Sequence, residues 1–143
     1  MTTSTITTGI EAVIASVLST YRQLEFGTDP TDNKFKANFL GFSVEPGEFR
    51  QLGGATAYFT VSQRFTVKLA KSFGQSKVGD AAQRANAKVL YDDMFTLTKQ
   101  IYKGKANGTA IIVADVETGE VEYFDSNLAV LSSTMTIQFR VAL

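Results

Sequence analysis

At 143 residues, with 44% hydrophobic side chains and 14 basic residues balancing 14 acidic ones, the chain is sized for one domain with its own core and has no general positive field to hold nucleic acid. Cysteine and histidine are both absent, which removes disulfides, thiolate nucleophiles, the usual near-neutral general base and the commonest zinc ligand. Most hydrolytic and metal chemistries thus lack their central residue, which disfavours an enzyme without excluding one.

Residues 1–8 are Thr-rich, with neither a basic start nor an apolar run. A flexible tail over 1–7 is expected there rather than a signal peptide, and no stretch is long and apolar enough to cross a bilayer. These features predict a soluble protein made in the cytoplasm. Thr7 or Thr8 can cap a first helix in which Ile10, Val13, Ile14, Val17, Leu18 and Tyr21 form an apolar stripe ending near Leu24. From Gly27 the character changes. Asp29, Pro30, Asp32 and Asn33 make one turn cluster, Pro46 and Gly47 another, and a short strand over 35–44 is expected between them. Phe35, Phe39, Phe42 and Phe49 make the segment 26–57 too apolar for a disordered linker. They either cover one end of the core or lie exposed until a partner covers them.

Over 57–73 the odd positions are mostly apolar (Phe59, Val61, Phe65, Val67, Leu69) and the even ones polar (Thr60, Ser62, Arg64, Thr66, Lys68). The same alternation recurs over 129–143, so both stretches predict long half-buried strands of a mainly antiparallel, twisted sheet. Strands of this length extend roughly 50 Å at 3.3 Å per residue, beyond the diameter of a compact domain of this size, so they must bend, bulge or project. Projection exposes unpaired backbone that another chain can cover.

Between the long strands, Ala87, Leu90, Met94, Leu97 and Ile101 recur at three and four residue steps, which predicts a long helix over 79–104 packed against the sheet. Asp80 with Gln83 has the pattern of a capping box, Lys99 and Lys103 suit the negative end of the helix dipole, and Gly104 can stop the winding. After it, 110–114 and 121–124 flank Glu117, Thr118, Gly119 and Glu120, which reads as a hairpin with Gly119 at a positive-φ position. The expected fold class is α+β: an antiparallel twisted sheet packed against a long helix, preceded by an amphipathic N-terminal helix, in a single domain over 1–143.

Short motifs give no chemistry. Gly74 and Gly79 have P-loop spacing, but Asp80 and Ala81 stand where the lysine and hydroxyl belong. Asp92 and Asp93 are adjacent on a helix and point about 100° apart, so they do not form an acid/base pair. Asn107, Gly108, Thr109 is a glycosylation sequon without an export signal. Glu117, Thr118, Gly119 needs only a hairpin to explain it.

The order of these elements resembles the tail terminator proteins of tailed bacteriophages. An amphipathic N-terminal helix is followed by a long strand over 58–73, a capped helix over 80–103 and two strands. The last runs Ala129, Val130, Leu131, Ser132, Ser133, Thr134, Met135, Thr136, Ile137, Gln138, Phe139. The likeness spans nearly the whole chain and is least in 26–57. It implies a non-enzymatic virion subunit at the neck-proximal end of the tail, assembling as a homohexameric ring on the last ring of the tail tube. That ring stops tube polymerisation and offers a surface to the head connector. The implied partners are other copies of the chain, the tail tube protein, the connector and DNA passing through without specific binding.

On that reading, Phe35, Phe39, Phe42, Phe49, Arg64, Lys68 and Arg140 are expected at the subunit or tail-tube interface. Asp115, Glu117, Glu120 and Glu122 are expected toward the ring opening or an axial partner. Replacing Phe39 and Phe42 by Asp is expected to block assembly while leaving the subunit folded. Two alternatives stay open. One is another neck or tube ring protein. The other is a small-molecule-binding α+β domain with its pocket between sheet and helix, for which Gln63, Lys71 and Ser133 are the inward polar candidates.

Overall fold

The computed structural model describes residues 2–23, 40–72, 80–103, 105–106, 109–124 and 128–143. In chain order the elements are α1 (Thr3–Val17), β1 (Arg22–Gln23), β2 (Leu40–Gly54), β3 (Tyr58–Ser72), α2 (Asp80–Ile101), β4 (Lys105–Ala106), β5 (Thr109–Ala110), β6 (Ile112–Thr118), β7 (Glu122–Phe124) and β8 (Leu128–Ala142). The chain is an α+β protein. Six strands form a mixed, mostly antiparallel sheet in the order β1-β2-β3-β8-β6, with β7 also on β8, while β4 and β5 pair separately.

The alternation read in the two long strands is realised as one continuous ladder. β3 pairs with β8 in unbroken antiparallel register from Tyr58 opposite Ala142 to Ser72 opposite Leu128. Period-two burial follows along both: Val61, Gln63, Phe65, Val67 and Leu69 are buried on one strand, and Leu131, Ser133, Met135, Ile137 and Phe139 on the other. These residues share one hydrophobic cluster with Ile6, Ile10 and Ile14 of α1 and Leu90, Met94, Leu97 and Ile101 of α2. A smaller cluster of Ala70, Leu128 and Val130 sits on the opposite side of the same strands.

Four sequence expectations are corrected. α1 starts at Thr3 rather than near Thr8, with Thr2 as N-cap; the Thr2 hydroxyl oxygen accepts the Thr5 N–H at 3.2 Å. Four threonines in the first turns disfavour a helix by about 2–3 kcal/mol in total, but Ile6 and Ile10 are fully buried, worth about 3–6 kcal/mol together. Burial therefore extends the helix through the segment expected to be a flexible tail. At the other end α1 stops at Val17, so Leu18 and Tyr21 are buried from beyond the helix.

Pro46 and Gly47 do not end a strand. β2 runs through them, with a bulge between Pro46 and Phe49 and another between Gln51 and Gly53. Proline is tolerated because the β2 side away from β3 carries no ladder at that point; β1 covers only Gly41 and Phe42. A Cβ on Gly47 would stand 3.3 Å from the Arg64 carbonyl oxygen, so the bulge brings the backbones too close for a side chain to fit without displacement.

The expected hairpin around Gly119 is absent. β6 and β7 do not pair with each other; both pair with β8, β6 opposite residues 133–138 and β7 opposite 128–130. They form one interrupted edge strand, with Gly119 N–H bonded to the Ser132 carbonyl at 3.1 Å and no positive φ at Gly119. A fifteen-residue β8 offers more ladder bonds to a collinear partner than β6 and β7 could offer each other.

The fourth correction concerns Phe42, which is 1% exposed in the main cluster. It forms part of the subunit's own core and is not free for a neighbour. Phe26, Phe35, Phe39, Gly74, Gly79, Gly104, Asn107 and Asp125, and the side chains of Asp80 and Gln83, lie outside the described residues.

Two polar ties fix α1 and its exit. Gln63, 3% exposed, accepts a hydrogen bond from the Thr3 hydroxyl at 2.9 Å and donates one to the Gly47 carbonyl at 3.0 Å, linking the helix start to the β2 bulge through the core. The Tyr21 hydroxyl donates to Asp93 of α2 at 2.5 Å. Burial, followed by that hydrogen bond and the Asp93 charge, pushes the Tyr21 phenol above the usual tyrosine range. At the surface of α1, burial raises the Glu11 carboxyl, opposed by the hydrogen bond that Gln23 donates to it.

Phe42→Ala should lower the unfolding free energy by about 3–5 kcal/mol in urea titrations, and Phe42→Asp should prevent folding rather than selectively block assembly. The neutral Tyr21 phenol is the form the fold favours, so its contribution is complete below pH about 10 and is lost as pH rises beyond that. Tyr21→Phe should therefore be less stable than the parent by about 1.5–3 kcal/mol near neutrality, with the gap closing in unfolding curves taken above pH 10.

Candidate interaction surface

The register sorts side chains onto two faces. Residues directly opposite one another share a face, so the core side carries the row Phe49, Gln63, Ile137, Val113 and the row Pro46, Phe65, Met135, Val116. The other side carries Arg50, Ser62, Gln138, Ile112 in one row, Arg64, Thr136, Asp115 in a second, and Glu45, Thr66, Thr134, Glu117 in a third. This outer face is rich in Ser and Thr and carries charged ends, basic toward β2 and β3 and acidic toward β6.

Of the residues expected at an interface, Arg64, Lys68 and Arg140 all stand on this outer face. Arg64 and Arg140 are exposed, and Arg140 lies over the Tyr58 ring at 4.4 Å. Lys68 meets Glu45 at 4.0 Å with both side chains about a third exposed, an ion pair worth at most about 1 kcal/mol. Phe49 is on the core side but beyond the core, 66% exposed. Every residue over 47–57 is exposed. The distal half of β2 and the turn after it thus make an exposed arm along the sheet edge, with Phe49 at its base and Leu52 further out, the latter 43% exposed. Beside Phe49, an open groove of about 300 Å³ is lined by Glu48, Arg50, Ser62, Arg64 and Thr136.

Asp115, Glu117, Glu120 and Glu122 are all exposed, spread along the β6–β7 edge rather than gathered on a hairpin tip. Asp115 is two strand spacings from Arg64, roughly 10 Å, where attraction through water is only about 0.4 kcal/mol.

Behind that edge lies a second groove, of about 370 Å³, lined by Tyr91, Met94, Phe95, Thr98 and Tyr102 of α2 and its C-terminal end with Val116 and Thr118 of β6. Tyr91 ties its wall together, its hydroxyl accepting the Val121 N–H at 3.2 Å. Phe95 is 68% and Tyr102 54% exposed. Sequence reasoning passed over Phe95, Tyr102, Arg50 and Leu52. Phe95 was visible as an aromatic one position off the apolar helix stripe, whereas the others have no distinguishing pattern. Among the described residues, no buried side-chain polar atom lacks a partner and no acidic group is clustered to hold a metal ion.

No protein-family model and no curated protein matches the chain. One solved structure, of a protein without a descriptive name, superposes over 92% of this chain and 94% of its own with a TM-score of 0.45 at 18% identity, too slight a likeness to carry an argument.

Phe49 and Leu52 contribute nothing to the subunit's own core, so replacing both by Ser should leave the urea midpoint within about 0.5 kcal/mol of the parent. The same variant should bind less of an environment-sensitive apolar dye.

Proposed function

We propose that this chain is the subunit of a homohexameric ring that acts as the tail terminator of a tailed bacteriophage. The ring sits on the last ring of the tail tube, stops polymerisation of the tube and presents a surface to the head connector. DNA passes through the opening without specific binding, and no catalytic step or cofactor is involved. The subunit is made in the host cytoplasm and ends at the neck-proximal end of the virion tail. In this reading α2 lies along the twisted sheet as the rigid back of each subunit.

Two things support it: the order of elements along the chain, and the exposed arm. The arm carries the reading furthest, because Phe49 and Leu52 stand out from the subunit on strands that do not need them for folding. Apolar side chains held in the open by regular structure mark contact surfaces. Another neck or tube ring protein would share this physics and differ only in what it touches. The groove behind β6, at about 370 Å³, is within the size of small-molecule sites and is the observation that favours a binding domain instead.

Solution mass measured over a range of protein concentrations, with negative-stain images of the largest species, tests the reading. Six-membered rings with an open centre are expected, and adding them to growing tail tubes should arrest elongation. A concentration-independent dimer without rings would favour the small-molecule reading, and tubes that keep growing past bound rings would discard the terminator role.

A further inference from the structure

We propose that the groove between α2 and β6 receives the distal arm of a second copy of this chain, so that copies join head to tail through opposite edges of the sheet. The proposal rests on the ring reading above and names the surfaces that would build such a ring.

The two surfaces match side for side. On the core side the groove presents Met94, Phe95, Tyr102 and Val116, and the arm presents Phe49. On the outer side β6 presents Asp115 and Glu117, and the arm presents Arg50 and Arg64 with Arg140 on the neighbouring strand. Residues 111–124 contain no basic side chain, whereas the arm's Glu48 is outnumbered by its arginines. Glu45, the other acid of this part of β2, faces Lys68 of its own subunit. Charge complementarity of this kind selects the orientation as well as the partner.

The backbone agrees. The side of β2 away from β3, beyond Phe42, and the side of β6 away from β8 have no strand partner among the described residues. β6 runs antiparallel to β2 within a subunit, so a copy displaced sideways brings its β2 to β6 in the sense the rest of the ladder uses. Phe49 and Val113 lie in the same cross-strand row, so a shift of two residues along the strands, about 7 Å, sets Phe49 beside Val116 of the groove and Arg50 beside Asp115. Because the contact joins two different surfaces, it repeats from copy to copy and closes only as a ring.

Charge reversal tests the pairing directly. One variant carries Arg50→Glu with Arg64→Glu, the other Asp115→Lys with Glu117→Lys. Each alone should keep the parent's unfolding midpoint but associate roughly tenfold or more weakly. Mixed in equal amounts they should assemble again, since each supplies the charge the other has lost. The absence of cysteine allows a second readout: Leu52→Cys and Ile112→Cys proteins, mixed with a short bis-maleimide, should give a mixed dimer in preference to either self-linked one. The contact is overturned if either reversed variant assembles like the parent, if the mixture stays dispersed, or if no mixed dimer forms. Parent rings that survive both reversals would overturn it while leaving the terminator reading intact. Restored mixed rings that fail to arrest tail tubes would uphold the contact and discard the terminator role.

Discussion

The structure depends on the unbroken ladder between β3 and β8. Fifteen residue pairs in continuous antiparallel register fix which side chains face inward on both strands, because a slip of one residue would turn every one of them over. Everything else takes its position from those two faces. The inward face supplies Phe65, Leu69, Leu131, Met135 and Ile137, all fully buried, to the cluster shared with both helices. On the outward face, Ser and Thr side chains separate charges of opposite sign by two strand spacings.

The same ladder explains how a small subunit can hold an extended arm. A two-stranded ribbon is marginal in water, but here β8 continues as far as the arm does, with Tyr58 still paired to Ala142. The base of the arm is tied into the core by Gln63, which bonds Thr3 and Gly47 at once. Leaving those buried amide atoms unpaired would cost about 1–3 kcal/mol, comparable to a large apolar side chain. The arm is thus anchored by a polar bond at its root and a third strand along its length, leaving Phe49 and Leu52 free for contact.

Regular periodicity made part of this legible in the sequence. The alternation over 57–73 and 129–143 located β3 and β8, and the stripe through Leu90, Met94, Leu97 and Ile101 located the buried face of α2. Features that break periodicity did not yield to the same reading. Pro46 and Gly47 look like a turn because turn residues and bulge residues are the same residues. Glu117, Thr118, Gly119 and Glu120 look like a hairpin tip because sequence alone cannot say that both flanking strands seek a third. Phe42 and Phe49 are alike in sequence, yet one is core and the other exposed, although the β3 residues opposite them, Leu69 and Gln63, are both buried. The charged residues on the arm and on β6 could each be named, but that they face the same side is a fact of register.

The bulge between Pro46 and Phe49 has an effect on the arm beyond tolerating a proline. β2 advances three residues there while β3 passes two, so inward and outward exchange places over Phe49, Arg50 and Gln51, until the second bulge between Gln51 and Gly53 exchanges them back. Phe49 shares a face with Gln63 only because of that extra residue; in a regular strand it would stand opposite Ser62 and Arg50 opposite Val61. One inserted backbone unit therefore decides that Phe49 and Arg50 lie the right way round, and losing it would turn both over with every amino acid unchanged.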